Sequence, residues 1–440
     1  MLLVRLLDLA ALPADAIPPD AARMARLSLF DWIVCGLAGR DEPVARILRG
    51  MVTQESGAPQ ASLFGGGAAP MRAASLVNGA TSHALDYDDT HFAHVGHPSV
   101  AIYPAALAVA EARNLSAKSV IEAFAIGAEA SIRLGLALGA GHYERGFHQT
   151  ATAGAFGAAV AAGRLMGLDR DGMRRALGLC ATRASGLKSQ FGTMGKPYNA
   201  GIAASNGVEC ALLAQAGLSA PDDGVAGPQG FVPTHSDGSD IAAAFALPVS
   251  ERFLLADVKH KLHACCHGTH AMIEALRSLC AEEGITPDAV AAIRLSTAPR
   301  WLSVCAIPRP RTGLEVKFSY AVLAAMVIAG RDTASDRSFT DDLAADPALT
   351  SLAAKLSVTG DPGLTDLHAR GVLCLTDGRE LLFAHDLAAP KAPDALATAL
   401  QGKARALIGA AADALWTDVM ASDGGCAREL GHWLTEGGRK

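Results

Sequence analysis

The sequence predicts a mainly α protein, a large all-helical domain with a smaller α+β domain, on three observations. Apolar residues recur at helical spacing through most of residues 1–216, in a background rich in Ala and Gly. After about residue 250 the pattern changes, with strand-like alternation at 290–297 and a hairpin signature at 370–384. Helical periodicity returns over 396–438. A chain of 440 residues, 50% of them hydrophobic, is too long for one simple core. The expected domains are 1–250, the helical domain; 251–392, the α+β domain; and 393–440, helices that return to the helical domain.

Taken in order, Pro18-Pro19-Asp20 suits a helix start, and apolar residues follow at 27, 29, 30, 33, 34 and 37. Residues 43–55 make a second, short helix. LFGGGAAP is a glycine-rich turn; it lacks the GxGxxG spacing and the βαβ surroundings of a nucleotide loop. Helical pattern resumes over 71–86. Pro98 and Ser99 open a helix over 100–113, Ser116 caps 118–138, His148 and Thr150 precede 152–165, and Asp169 caps 170–182. A loop with Lys188 and Lys196 leads into 200–216. Small residues allow these helices to approach closely. Residues 219–247 read as a long loop with one short helix, 251–256 as a strand and 269–282 as a helix. A strand at 290–297, a helix from Gly313 through 328, and strands at 370–375 and 380–384 around Asp377-Gly378 complete the α+β domain.

Lys and Arg total 38 against 44 Asp and Glu, a net charge of −6, which argues against a nucleic-acid surface. An anionic ligand must therefore meet a local basic cluster. No uninterrupted 18-residue apolar stretch suggests a membrane span, and residues 1–13 lack the basic start of a signal peptide. Nine cysteines without a CxxC pair fit reduced thiols in a cytoplasmic protein.

Chemistry concentrates first in ATSHALDYDDTHFAHVGHPSV, residues 80–100, with three Asp and four His in an otherwise oily chain. Buried carboxylates are costly unless paired or used. If the chain is helical through 86–90, Asp86 and Thr90 share a face, i and i+4. His97, with the amides of 98–100 at a helix start, offers a place for a carboxylate. Lys196 in its glycine- and proline-punctuated loop can bind a carboxylate or act as a base. KHKLHACCHGTHA carries His260, His263, His267 and His270, suited to acid–base work near neutrality. Zinc is not favoured there, because HExxH and paired ligand spacings are missing. Cys265 or Cys266 as a nucleophile lacks an oxyanion motif. Arg309, Arg311 and Lys317 could clamp carboxylates, and Tyr320 could donate a proton. Each feature also fits a plain alternative: a solvated helix end, a capping histidine, a surface lysine, an exposed loop.

HALDYDDTH with its following HPS, GTMGKPYNAGIAASNGVECALLAQAG, KHKLHACCHGTHAMIEA and PRTGLEVKFSY closely resemble, in order, the motifs of the MmgE/PrpD family, which includes 2-methylcitrate dehydratase, cis-aconitate decarboxylase and iminodisuccinate epimerase. The resemblance runs from about residue 20 to 330. It implies a large all-helical domain built from both chain ends, a smaller α+β lid domain, a homodimer and no cofactor or metal. It maps catalytic roles to Asp86, Thr90, His97 and Lys196, to His270 or His267 with His263 behind them, and to a tyrosine near Tyr320. Lys188, Arg309 and Arg311 are expected to bind a small di- or tricarboxylate. The first expectation is a hydro-lyase acting on a 2-methylcitrate-like acid by proton abstraction alpha to a carboxylate. Epimerisation of a dicarboxylate such as iminodisuccinate and cis-aconitate-type decarboxylation are the alternatives. A non-enzymatic binding protein is the alternative of another class.

Overall fold

The structure, a computed structural model, describes residues 2–389 and 391–437. The expected tail helix to 438 therefore runs past the described residues. The chain divides into two compact units: residues up to His260 together with those from Ile408, and Lys261–Leu407.

The first unit is helical. Its elements are α1 (Leu2–Ala10), α2 (Pro19–Gly39), α3 (Pro43–Glu55), α4 (Met71–Ser82), α5 (Pro98–Ala112), α6 (Ala117–Arg145), α7 (Gln149–Leu165), α8 (Arg170–Arg183), α9 (Gly195–Gln215), α10 (Phe231–His235) and α11 (Ile241–Ala244). A two-stranded hairpin, β1 (Ala61–Ser62) and β2 (Ala68–Ala69), carries the glycine turn. Ser116 and Asp169 cap α6 and α8 by accepting the amides of Ser119 and Gly172. α6, α7 and α9 stack beside α4 and α5. The seam is made of small residues: Ala105, Ala158, Ala162, Ala204 and Ala211 are fully buried. At Gly201 a Cβ would stand 2.3 Å from the Leu76 carbonyl, so α9 meets α4 backbone to backbone. Gly207 lies as tightly against Ala158 of α7.

The second unit contains α12 (His270–Glu283), α13 (Gly313–Val316), α14 (Tyr320–Ile328), α15 (Asp341–Ala344), α16 (Pro347–Ala353) and α17 (Pro393–Ile408) with a four-stranded sheet. The strands are β3 (Val290–Thr297), β4 (Leu356–Gly360), β5 (His368–Leu375) and β6 (Glu380–Asp386), in the order β4-β3-β5-β6. β3 pairs parallel with β4 and antiparallel with β5, and β5 pairs antiparallel with β6. Val290, Ile293, Leu295 and Thr297 of β3 are buried, and α12 covers β5 and β6. Back in the first unit, α18 (Ala411–Met420) and α19 (Ala427–Glu436) complete the helical body. Trp416 meets Phe30 edge-on at 5.0 Å, and the Gly65 amide donates to the Leu434 carbonyl at 3.0 Å.

Three local expectations are corrected. Residues 251–256 are not a strand: Leu254–Asp257 is a single 3-10 turn, and the Leu255 amide donates to the buried Glu129 carboxylate at 2.9 Å. The helix expected from Gly313 to 328 breaks at Ser319, whose hydroxyl caps α14. Residues 219–247 hold two short helices, α10 and α11, where one was expected. α16 and β4 were not expected; β4 is only five residues long and none of them is fully buried. Among the described residues no helix is long and apolar enough to cross a membrane.

Candidate active site

The loop between α4 and α5 sets the site. α4 stops at Ser82, and Asp86 has φ of 51°, so the chain is not helical through 86–90 and the i, i+4 pairing of Asp86 with Thr90 does not form. A left-handed conformation at a non-glycine residue costs energy and is tolerated best by Asp and Asn. Here it sends successive carboxylates in different directions. Asp89 turns onto the start of α5, accepting the Ser99 amide at 3.2 Å and its hydroxyl at 2.6 Å. The helix start expected to receive a ligand carboxylate is thus capped by the chain's own. Burial pushes the Asp89 carboxyl up to about 7; the Ser99 hydrogen bonds oppose this, and Asp88 and Asp31 add to it.

Asp88 turns the other way and is fully buried between two imidazoles. His83 Nδ1 lies 2.7 Å from its Oδ1, and His97 Nδ1 lies 3.0 Å from its Oδ2. Burial alone would raise the Asp88 carboxyl, but the charges and hydrogen bonds of His83 and His97 outweigh it and hold it well below the usual carboxylate range. His97 Nδ1 also sits 2.7 Å from the Asp89 carbonyl. Its Nε2 is 3.9 Å from Asp86 Oδ1. Lys196 Nζ is 2.6 Å from the other Asp86 oxygen.

Lys196 is in the first turn of α9 rather than in the loop before it. An ammonium at the positive end of a helix gains by meeting an anion, which Asp86 supplies. His148, just ahead of α7, stands 6.2 Å from the His83 ring and 6.5 Å from the His97 ring. Asn199 Nδ2 donates to His148 Nδ1 at 3.2 Å, which leaves the His148 proton on Nε2. Burial, then the charges of His83, Lys196 and His97, keep His148 neutral by lowering it well below the ordinary histidine value. Phe191 closes the back of this ring cluster, 5.0 Å from His148.

Asp86, His97 and Lys196 are therefore brought together. Thr90 sits beside them in sequence but is tied by its backbone to Lys259, with both amide–carbonyl bonds at 2.8 Å. Lys188 donates to the Tyr143 carbonyl at 3.0 Å and lies over that tyrosine's ring. In the second unit His263, His267 and His270 are neighbours, with His270 5.0 Å from His263 and 4.7 Å from His267. His263 spends both nitrogens, on Thr333 at 2.8 Å and Glu274 at 2.9 Å, which suits an anchor. Tyr320 donates to the Gly268 carbonyl at 2.8 Å and shares a 3.1 Å hydrogen bond with Thr297, so its hydroxyl has no proton to spare in this arrangement. Burial also raises that phenol. Arg309 and Arg311 are exposed, and Arg311 faces Glu315 of its own segment.

His83, Asp88 and His148 were not singled out from the sequence. The first two lie inside the Asp/His stretch, but which buried carboxylate meets the imidazoles depends on the backbone path of the loop, which residue types do not reveal. Donor atoms of His83, Asp86, Asp88 and His97 lie within 4.8 Å of one another, a set of the kind that can hold a metal. The Lys196 ammonium already occupies Asp86, and Asp88 already accepts the His83 Nδ1–H, with His97 Nδ1 3.0 Å from its other oxygen. A cation would have to displace the ammonium and deprotonate the imidazole that already serve these carboxylates.

Residues 9–244 match the MmgE/PrpD N-terminal domain and residues 263–407 the MmgE/PrpD C-terminal domain. The chain is 30% identical over 379 residues to a cis-aconitate decarboxylase of Aspergillus terreus, spanning 79% of this chain and 75% of that protein. It is 31% identical over 285 residues to a cis-aconitate decarboxylase-like protein of Aspergillus oryzae, with 61% and 58% covered. Against the human cis-aconitate decarboxylase, identity is 36% over 154 residues, with 34% and 32% covered.

Proposed function

This chain belongs to the MmgE/PrpD family, and from that premise we propose that it is an enzyme acting on a small polycarboxylate, decarboxylating a cis-aconitate-like acid. Among the reactions the sequence left open, the names of its relatives favour decarboxylation over the dehydration first expected. The observation that carries the reading is the Lys196–Asp86–His97 group backed by buried Asp88.

The chemistry follows from charge. A carboxylate on a carbon next to an alkene can leave as carbon dioxide, its bonding electron pair forming a new double bond. The old double bond then shifts, and its electrons reach the carbon beside a second carboxylate. There they are held as an aci-carboxylate until a proton arrives, so each turnover consumes one proton. The Lys196 ammonium stabilises the developing negative charge. His97 Nε2, facing Asp86 and Lys196, delivers the proton. His148 Nε2–H, kept neutral, donates a hydrogen bond to a substrate oxygen.

The test is incubation of the purified protein with cis-aconitate in deuterated water. Carbon dioxide release with one deuterium per product, seen by proton NMR, is the expected result. Loss of water from a 2-methylcitrate-like acid without gas release would restore the hydro-lyase. Exchange alpha to a carboxylate without net reaction would point to an epimerase. Inertness toward all of them would leave a binding protein.

A further inference from the structure

Asp88 stands behind the Lys196–Asp86–His97 group without an assigned task and His83 has no part in it yet, although both are buried. His97 Nδ1 is hydrogen-bonded to the Asp89 carbonyl at 2.7 Å, and Asp88 Oδ2, which accepts no hydrogen bond, stands 3.0 Å from the same nitrogen. Neither oxygen can donate, so Nδ1 must carry the proton and Nε2 is the atom that exchanges one. The other Asp88 oxygen accepts from His83 Nδ1 at 2.7 Å. The His97 backbone is fixed as well, its amide donating to Thr150 Oγ1 at 3.0 Å. No nearby solvent can take over from either imidazole, because the Asp88 and His83 side chains are shielded from water.

We propose that Asp88 and His83 are positioning residues for His97: the buried carboxylate fixes its tautomer and favours its protonated form, and His83 holds that carboxylate from the far side. This rests on His97 being the proton donor. A buried carboxylate without a counter-charge is costly. One proton shared by the two imidazoles neutralises it, which keeps a proton available where the reaction consumes one. The other charged or titratable groups facing His97 are Asp86 and Asp89 of the same loop, His94, His148 ahead of α7, and Lys196 of α9. His94 and His148 are held neutral by burial first and by neighbouring charges second, and Asp86 is paired with Lys196. Asp88 is the carboxylate in direct contact with the imidazole.

The experiment uses the full chain labelled with nitrogen-15 histidine, with no substrate. Neutral His97 should show the Nδ1–H tautomer. In Asp88→Asn its titration midpoint should fall by about one pH unit or more, since a counter-charge is lost. In turnover, Asp88→Asn should lower kcat by roughly 10²- to 10⁴-fold while KM changes little, the scale seen when an orienting carboxylate is lost. The limb of the pH profile that belongs to His97 should move with the midpoint. His83→Leu should lower kcat in the same way, and His83→Asn, whose amide can still donate to Asp88, should restore most of that loss. An Nε2–H tautomer in the unaltered protein overturns the proposal even if every variant misfolds. So does an Asp88→Asn protein whose melting temperature drops while His97 titrates as before. If cis-aconitate is not turned over but the tautomer and midpoint behave as stated, the decarboxylase reading fails and this one stands.

Discussion

His97 keeps one nitrogen against fixed acceptors and turns the other toward a carboxylate–ammonium pair. That division makes its substitution informative. His97→Gln and Lys196→Met should each lower kcat/KM by about 10²-fold or more with circular dichroism unchanged. Near-normal turnover in both would remove them from the mechanism. The adjacent carboxylates make opposite contributions to stability. Asp89, pushed up to about 7 when folded against ~3.9 unfolded, binds more protons in the folded state between those values. Its stabilisation is complete below about pH 4 and is lost as pH rises through 7. Asp88, held low, stabilises above about pH 4, and that contribution is lost as pH falls. Asp89→Asn should therefore be more stable than the unaltered protein at pH 8, by on the order of a few kcal/mol, and most of that advantage should be gone at pH 5. Calorimetry at the two pH values checks it. The Asp/His stretch stood out in the sequence because charge in an apolar chain must be used or paired, and the family resemblance then pointed to Asp86, His97 and Lys196. Asp88 could not be told from Asp89, since both are buried and only the loop's backbone path, with its left-handed residue at Asp86, sets which one meets the imidazoles.

Most helices were legible because their start signals are chemical: Ser116, Asp169 and Pro98 all stand where their residue types place them. The failures lie where distant partners decide. The segment expected as a strand at 251–256 has the right apolar residues, but Glu129 takes its amide and no strand pairs with it. The helix expected through 86 ends four residues early, at Ser82, and Asp86 itself is left-handed. The small-residue seam can be tested directly. Gly201→Ala should cost about 1–3 kcal/mol, since the added methyl meets the Leu76 carbonyl. Activity should fall too, because α9 carries Lys196. Gly50→Ala is the control: it lies in α3 with nothing within 4 Å of the new methyl, and should raise stability by roughly 0.5–1 kcal/mol. Thermal melts of the two variants give opposite signs if packing, not composition, governs the seam.

At the scale of the molecule, the fold class was legible: a body of stacked helices and a smaller region of sheet with helices. A homodimer remains a proposal; light scattering should then return about twice 45.1 kDa. Chelation should leave activity intact, and elemental analysis should then find metal well below stoichiometric, as expected where an ammonium already pairs with Asp86 and an imidazole N–H with Asp88.

The helical unit is assembled from two stretches of chain separated by the whole of the second unit. α18 and α19 lie against segments made hundreds of residues earlier: Arg26 donates to the Val419 carbonyl at 3.1 Å and Ala117 to that of Gly425 at 2.9 Å. During translation, the oily helices made first must wait, incompletely covered, while the ribosome makes everything between. The continuous unit can fold before the older one is sealed. Newly made chains should therefore depend on chaperones until the last helices emerge, and a stop codon shortly after Leu407 should send the product to inclusion bodies rather than shorten it harmlessly.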